Sequence, residues 1–359
     1  MGLGSISGSF SPAVCTMQQG VEGQRPEGST LGSKDVFERG ESQGFVQEQQ
    51  FAKAGRLFQS CAQEMQQTNK MMAASEVELE SVNMYPDRNG YDENFLGKEL
   101  PLPTLGDSVK DQVAMRTDKP NESELTYTNY SVVMNKDRRQ CFYAICNIDG
   151  SSLSRPKRSG GWSIDGRIAR EHQLGNEAYK GNNIDKGHMV RRLDPCWGDN
   201  PELASRDTFS YCNAALQHGG LNQKEWLQLE DHVLGSSKGQ KMTVITGPIF
   251  REDDPWFDNN GKMQEPEQIP LSFFKTVVWA DDNGDLKSAS FILDQEDIIK
   301  GDGQLGIQSQ GFEPGRFEMY QVPQSEVEEL TDLHFGDIGD ITESRIQLNE
   351  DNNFTPQGL

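Results

Sequence analysis

From about residue 91 the chain alternates short apolar runs with turn residues, the period-two texture of sheet strands. Tyr130–Met134, Cys141–Ile145, Met242–Thr246 and Phe274–Trp279 each read as a strand. The last leads through Asp281-Asp282-Asn283-Gly284-Asp285 into Ser288–Leu293, and those turn-forming residues predict a hairpin. A helix is predicted from Asn222 to about Leu234. At about 100° per residue, Trp226, Leu229 and Val233 fall on the side headed by Asn222 and form a buried stripe. Locally, Asn222 reads as an N-cap after the Gly219-Gly220 break, with Glu225 three residues on completing a capping box. Hairpins with inserted helices favour an α+β fold over a doubly wound parallel sheet.

The two ends have a different texture. Residues 1–84 are rich in Gly, Ser, Gln, Glu and Met without strand-like alternation, and predict a partly disordered appendage. Within it Phe51, Ala54, Phe58, Cys61, Met65, Thr68 and Met72 recur at steps of three and four, which predicts one amphipathic helix near 45–74. Its stripe could lie on the rest of the chain, pair with a second copy in a homodimer, or take a regulatory partner. Residues 85–336 form the expected main domain. The tail 337–359 carries Asp337, Asp340, Glu343, Glu350 and Asp351 against Arg345 alone, and reads with the residues from Asp332 as a solvated acidic extension.

A net charge of −22 argues against a nucleic-acid binder. The distribution changes that picture, because residues 155–192 hold nine Lys and Arg against four Asp and Glu. A basic strip on an acidic body can still focus a polyanion. The six cysteines form no C-x-x-C pair, so neither a zinc ribbon nor a disulfide framework is indicated. No apolar leader core follows Met1, and no run approaches the roughly 18 apolar residues of a membrane helix. An intracellular protein without a membrane partner is expected.

The chemistry concentrates in two blocks. The first is Asn183-Ile184-Asp185-Lys186-Gly187-His188-Met189, a short polar turn holding a histidine among charges. The second opens 34 residues after His188 with Leu221-Asn222-Gln223 and continues to Glu230. A neutral imidazole can take a proton from water near pH 7, and a hard divalent cation can carry the charge of a phosphate. Asn222 and Glu230 are too far apart along a helix to share a cation directly, so a site of few protein ligands and several waters is implied, which suits Mg²⁺ and disfavours zinc.

Asp185-Lys186-Gly187-His188 resembles the Asp-Arg-Gly-His signature of the DNA/RNA non-specific endonucleases, the endonuclease G-like ββα-metal (His-Me finger) group. Asn213, Gln217, Leu221-Asn222-Gln223, Trp226 and Leu229-Glu230 are similar to that family's second block. Further similarity appears in Gly90-Tyr91-Asp92, Leu125–Ser131, Asn147–Gly150 and Thr246–Phe250.

The resemblance implies a central, mainly antiparallel sheet flanked by helices, and Mg²⁺-dependent hydrolysis of DNA and RNA to 5′-phosphate products, with Mn²⁺ as a substitute metal. It implies His188 as general base, Asn222 as metal ligand, and Glu230 as holder of metal waters. Asp185 and Asn213 would brace the motif. Arg158 is the candidate phosphate-contacting arginine, Arg155 its alternative, and Arg191, Arg192 and Asn213 further substrate-binding residues. Two departures stand out. Lys186 replaces the signature's arginine, exchanging a planar fork for a point charge, and Leu234 stands where some members carry arginine. Both keep open a weakly active or inactive nucleic-acid-binding scaffold on the same fold.

Overall fold

The structure is a computed structural model that describes residue 85, residues 88–223, 225–305 and 318–348, and residues 356 and 358. The helix expected near 45–74 and the whole of the expected appendage, residues 1–84, lie outside the described residues.

The strand-like runs assemble into one eight-stranded antiparallel sheet. Its strands are β1 (Glu124–Tyr127), β2 (Tyr130–Asn135), β3 (Gln140–Asp149), β6 (Lys241–Ile249), β7 (Ser272–Ala280), β8 (Leu286–Asp294), β9 (Glu318–Val322) and β10 (Ile346–Gln347), in the spatial order β10-β9-β8-β7-β6-β3-β2-β1. The expected hairpin is β7–β8, with Gly284 at φ +82° in the connecting turn. Most strand residues are buried on both faces, which explains why the runs read as near-continuous apolar stretches as well as alternating ones.

One face packs Leu100, Val327, Leu333, Phe335 and Ile338 against Ile145, Ile245, Phe274 and Ile292. The other face carries the site. There Tyr130, Val132, Cys146, Val244, Phe273 and Val277 meet Leu221, Trp226, Leu229 and Val233 from the predicted helical segment. That segment follows a separate ribbon of β4 (Ile184–His188) and β5 (Ala214–His218). Two helices then follow, α3 (Gly219–Asn222) and α4 (Glu225–Ser236), after the earlier α1 (Asn176–Tyr179) and α2 (Pro201–Asp207). Two antiparallel strands running into a helix make the ββα unit expected of the fold.

Three sequence expectations need correction. His188 ends a strand instead of sitting in a polar turn, because Asp185-Lys186-Gly187-His188 pairs residue for residue with Gln217 back to Ala214. Asn222 closes α3 and is not the N-cap of the long helix; helical structure starts at Gly219, where the His218 side chain provides the cap. The acidic stretch after Asp332 is not a free extension through Leu348. Leu333, Phe335, Ile338 and Leu348 are buried, and Ile346–Gln347 adds the edge strand β10, since apolar residues spaced among the acids dock while the charges face outward.

Candidate active site

Gly187 is required by the close approach of the two ribbon strands. A Cβ there would lie 2.0 Å from Gln217 Oε1, and Gln217 is fully buried. Next to it His188 is half-buried, with its ring centroid 4.8 Å from that of Trp162 and 5.2 Å from that of Phe209. Its Nε2 is buried without a hydrogen-bond partner. Burial first, then the nearby Arg158 and Arg192 charges, push the imidazole down to about 3, so it is neutral at pH 7.

Trp162 and Arg158 reach the histidine on an extended strap. The strap is fixed by Arg192, whose Nη1 donates to Pro156 O at 3.0 Å, and by backbone bonds of Ser163 to Phe209 and Tyr211. Arg158 lies exposed with its guanidinium 4.6 Å from the Phe209 ring centroid. Among the described residues, Arg155, Lys157 and Arg158 form no ion pair, so this end of the basic strip keeps charge available for an anion.

Arg191 and Arg192, at the far end of the strip, are used internally. Arg191 pairs with Glu230 Oε2 at 3.5 Å and with Asp231, and donates to the Glu230 carbonyl. Arg192 holds the strap and Ser205. Both guanidiniums, expected to contact substrate, make these internal bracing contacts in the structure. Asn213, also expected near substrate, is fully buried: its side chain accepts from Val190 N at 2.8 Å and donates to Val190 O and Thr208 O. It ties the residues after His188 to the segment before β5. Lys186 is half-buried, donates to Asn176 Oδ1 at 3.0 Å and lies 5.1 Å from the Tyr179 ring centroid, with burial lowering its pKa.

Asn222 and His188 belong to the same unit through Asp185. The Asp185 carboxylate accepts from Asn222 Nδ2 at 3.1 Å and Gln223 Nε2 at 2.9 Å, so β4 is bound directly to the end of α3. With its nitrogen committed, the Asn222 amide offers its Oδ1 as an acceptor. Among the described residues no group of three or more His, Cys, Asp or Glu forms a metal cage. One amide oxygen completed by waters is the donor set that Mg²⁺ tolerates, and the residues present fit such an ion.

Glu230 is 8% exposed, one turn beyond Trp226 on α4, with Oε1 buried and unpaired. Burial raises its carboxyl to about 7 and that of Asp194 to about 6. The sequence reading missed their counter-charge. Lys275, in the middle of β7 and 1% exposed, donates to Thr246 Oγ1 at 3.0 Å and lies 4.7 Å from the Trp226 ring centroid. Its charge opposes the upward shift of both carboxyls. A lysine in an otherwise uncharged strand was the available signal.

Replacing Lys275 with methionine removes that counter-charge. The two carboxyls then hold protons to still higher pH when folded, whereas unfolded they ionise in the usual range, so the stability lost must grow as pH rises from 6 to 8. A deficit of about 3 kcal/mol at pH 8 is expected, the lower end of what removing one partner of a buried charge pair costs. Urea denaturation across that range measures it, and a deficit independent of pH would contradict the coupling.

The family described as DNA/RNA non-specific endonuclease matches residues 110–338. An uncharacterised protein of Sinorhizobium fredii, y4fB, is 32% identical over 273 residues, covering 71% of this chain and 40% of that protein. Mitochondrial endonuclease G is 28% identical in Bos taurus and 27% in Homo sapiens, in each case over 138 residues, 36% of this chain and 44% of the relative. The chain thus spans less than half the length of these curated relatives. A crystal structure of the EndoG/EndoGI complex contains a chain matching at TM-score 0.44 and 19% identity, covering 60% of this chain and 85% of that one. With the family match extending over most of the chain, this protein belongs to the DNA/RNA non-specific endonuclease family.

Proposed function

We propose that this chain is a Mg²⁺-dependent endonuclease that hydrolyses phosphodiester bonds of DNA and RNA and leaves 5′-phosphate ends. The observation that carries the reading is the junction at Asp185, which joins the strand of a neutral histidine to an asparagine with an uncommitted amide oxygen. Arg158, stacked on Phe209 beside His188, binds and orients the scissile phosphate. Because Nε2 is buried, Nδ1 is the atom of His188 that accepts the proton of the attacking water. Asn222 Oδ1 would hold the divalent cation and Glu230 would hold its waters, and Mn²⁺ would substitute for Mg²⁺. The bound cation supplies charge neutralisation at the phosphate and acidity for the leaving 3′ oxygen.

The same charges give a pH signature. In the free protein Arg158 and Arg192 help to hold His188 low, whereas a bound phosphate offsets them and lets the imidazole rise. The acid limb of kcat/KM, which reports the free enzyme, is expected well below pH 6.5, with that of kcat above it. Coincident limbs near 6.5 would contradict the electrostatics.

Plasmid DNA, RNA and small nucleotide diesters, each incubated with Mg²⁺ and with EDTA, test the function. Metal-dependent cleavage of both polymers is expected, with products that accept a 5′ label only after phosphatase treatment. Tight DNA binding without turnover would instead favour the scaffold reading.

A further inference from the structure

Helix α3 is short, and its first turn is held by groups outside the family-like motifs. The backbone N–H of Gly220 donates to His218 Nδ1 at 3.1 Å, which places the ring proton on Nε2. That Nε2–H donates to Asp302 Oδ2 at 3.2 Å. The same carboxylate oxygen accepts from Asn183 Nδ2 at 2.8 Å. Asn183 in turn accepts from Gly219 N at 2.8 Å through its backbone carbonyl, immediately before β4. The backbone of His218 is fixed as well, donating to Gln295 Oε1 at 2.8 Å. Asp302 follows α5 (Glu296–Gly301), so one carboxylate 84 residues on from His218 pins both strands of the ribbon at the start of α3.

We infer that His218 and Asp302 are positioning residues for the metal-binding half of the site. They fix the first turn of α3 so that Asn222, at its end, presents its amide oxygen at a set place. The inference rests on the reading of Asn222 as the metal ligand. The capped helix start, the ribbon end and Asp302 form one hydrogen-bonded chain that touches neither His188 nor the strap, so its loss weakens metal binding and spares phosphate binding. Groups that orient a metal ligand typically contribute about 10–100-fold to affinity.

The test is Mn²⁺ binding to the full-length protein without nucleic acid, followed by electron paramagnetic resonance and calorimetry, with folding checked by thermal melting. His218→Ala and Asp302→Ala are each expected to weaken Mn²⁺ about tenfold. Asp302→Asn, which keeps the accepting oxygen, should stay within about threefold of wild type. Cleavage by these variants should recover at high Mg²⁺ without a change in KM for DNA. If His218→Ala does not fold, His218→Asn is read in its place, since its short side chain can cap Gly220 but cannot span to Asp302; weakened Mn²⁺ binding is again expected. Unchanged Mn²⁺ affinity in the folded His218 and Asp302 variants, with Asn222→Ala weakened, overturns the inference alone. Unchanged affinity in Asn222→Ala overturns the ligand reading and the inference with it.

Discussion

Replacing His188 with alanine is expected to slow cleavage of nucleic acid by about 10²–10⁴-fold, the usual contribution of a positioned general base. The loss should fall on kcat. Arg158 is stacked on Phe209 and anchored through a strap that does not depend on the histidine, so substrate affinity should change little. The fold should survive, because Trp162, Phe209 and the pairing of β4 with β5 remain. Single-turnover rates at saturating DNA, set beside binding measured in EDTA, separate the two effects. A rise in KM at unchanged kcat would assign His188 to binding and remove it from the chemistry.

The second large effect is expected at Asn222. Alanine there removes the one amide oxygen proposed to hold the cation and releases the bond to Asp185, so ligand and brace are lost together. The fall in cleavage at millimolar Mg²⁺ should exceed the about 10–100-fold typical of losing an outer-shell group. Asn222→Asp separates the roles: a carboxylate can bind the cation but meets the Asp185 carboxylate that its amide nitrogen now satisfies. It should retain metal binding, cleave less well than wild type and melt lower. A variant Asn222→Ala with wild-type rates would exclude this residue as ligand.

Much of this arrangement was legible in the sequence because it rests on local pattern. The strands from Tyr130 to Leu293 announced themselves as apolar runs, and Trp226, Leu229 and Val233 kept helical spacing. The motif residues were legible as chemistry, since a histidine, an amide and a carboxylate at those spacings are unusual together. The rest depends on contacts between distant residues. Which arginines of the strip stay available could not be read from spacing, because Arg191 is claimed by α4, 39 residues on, and Arg192 by Pro156. Lys275 looked like a strand residue with no special role until its Nζ was placed beside Trp226. The helix start was misplaced by three residues because the cap is a histidine, outside the preferred Ser, Thr, Asp and Asn. The last edge strand was hidden by its acidic and polar surroundings, among which Ile346 and Leu348 are too short an apolar run to announce a strand.

A neutral His188 acting as base at a metal-dependent site would make cleavage depend on both the imidazole and the cation. The most direct test is the initial rate of plasmid cleavage by wild type and His188→Ala in saturating Mg²⁺, with EDTA and with added imidazole. Cleavage abolished by EDTA, lowered at least about 100-fold in the variant and partly restored by imidazole is the expected result. Equal rates in the two proteins, or cleavage indifferent to EDTA, would contradict it.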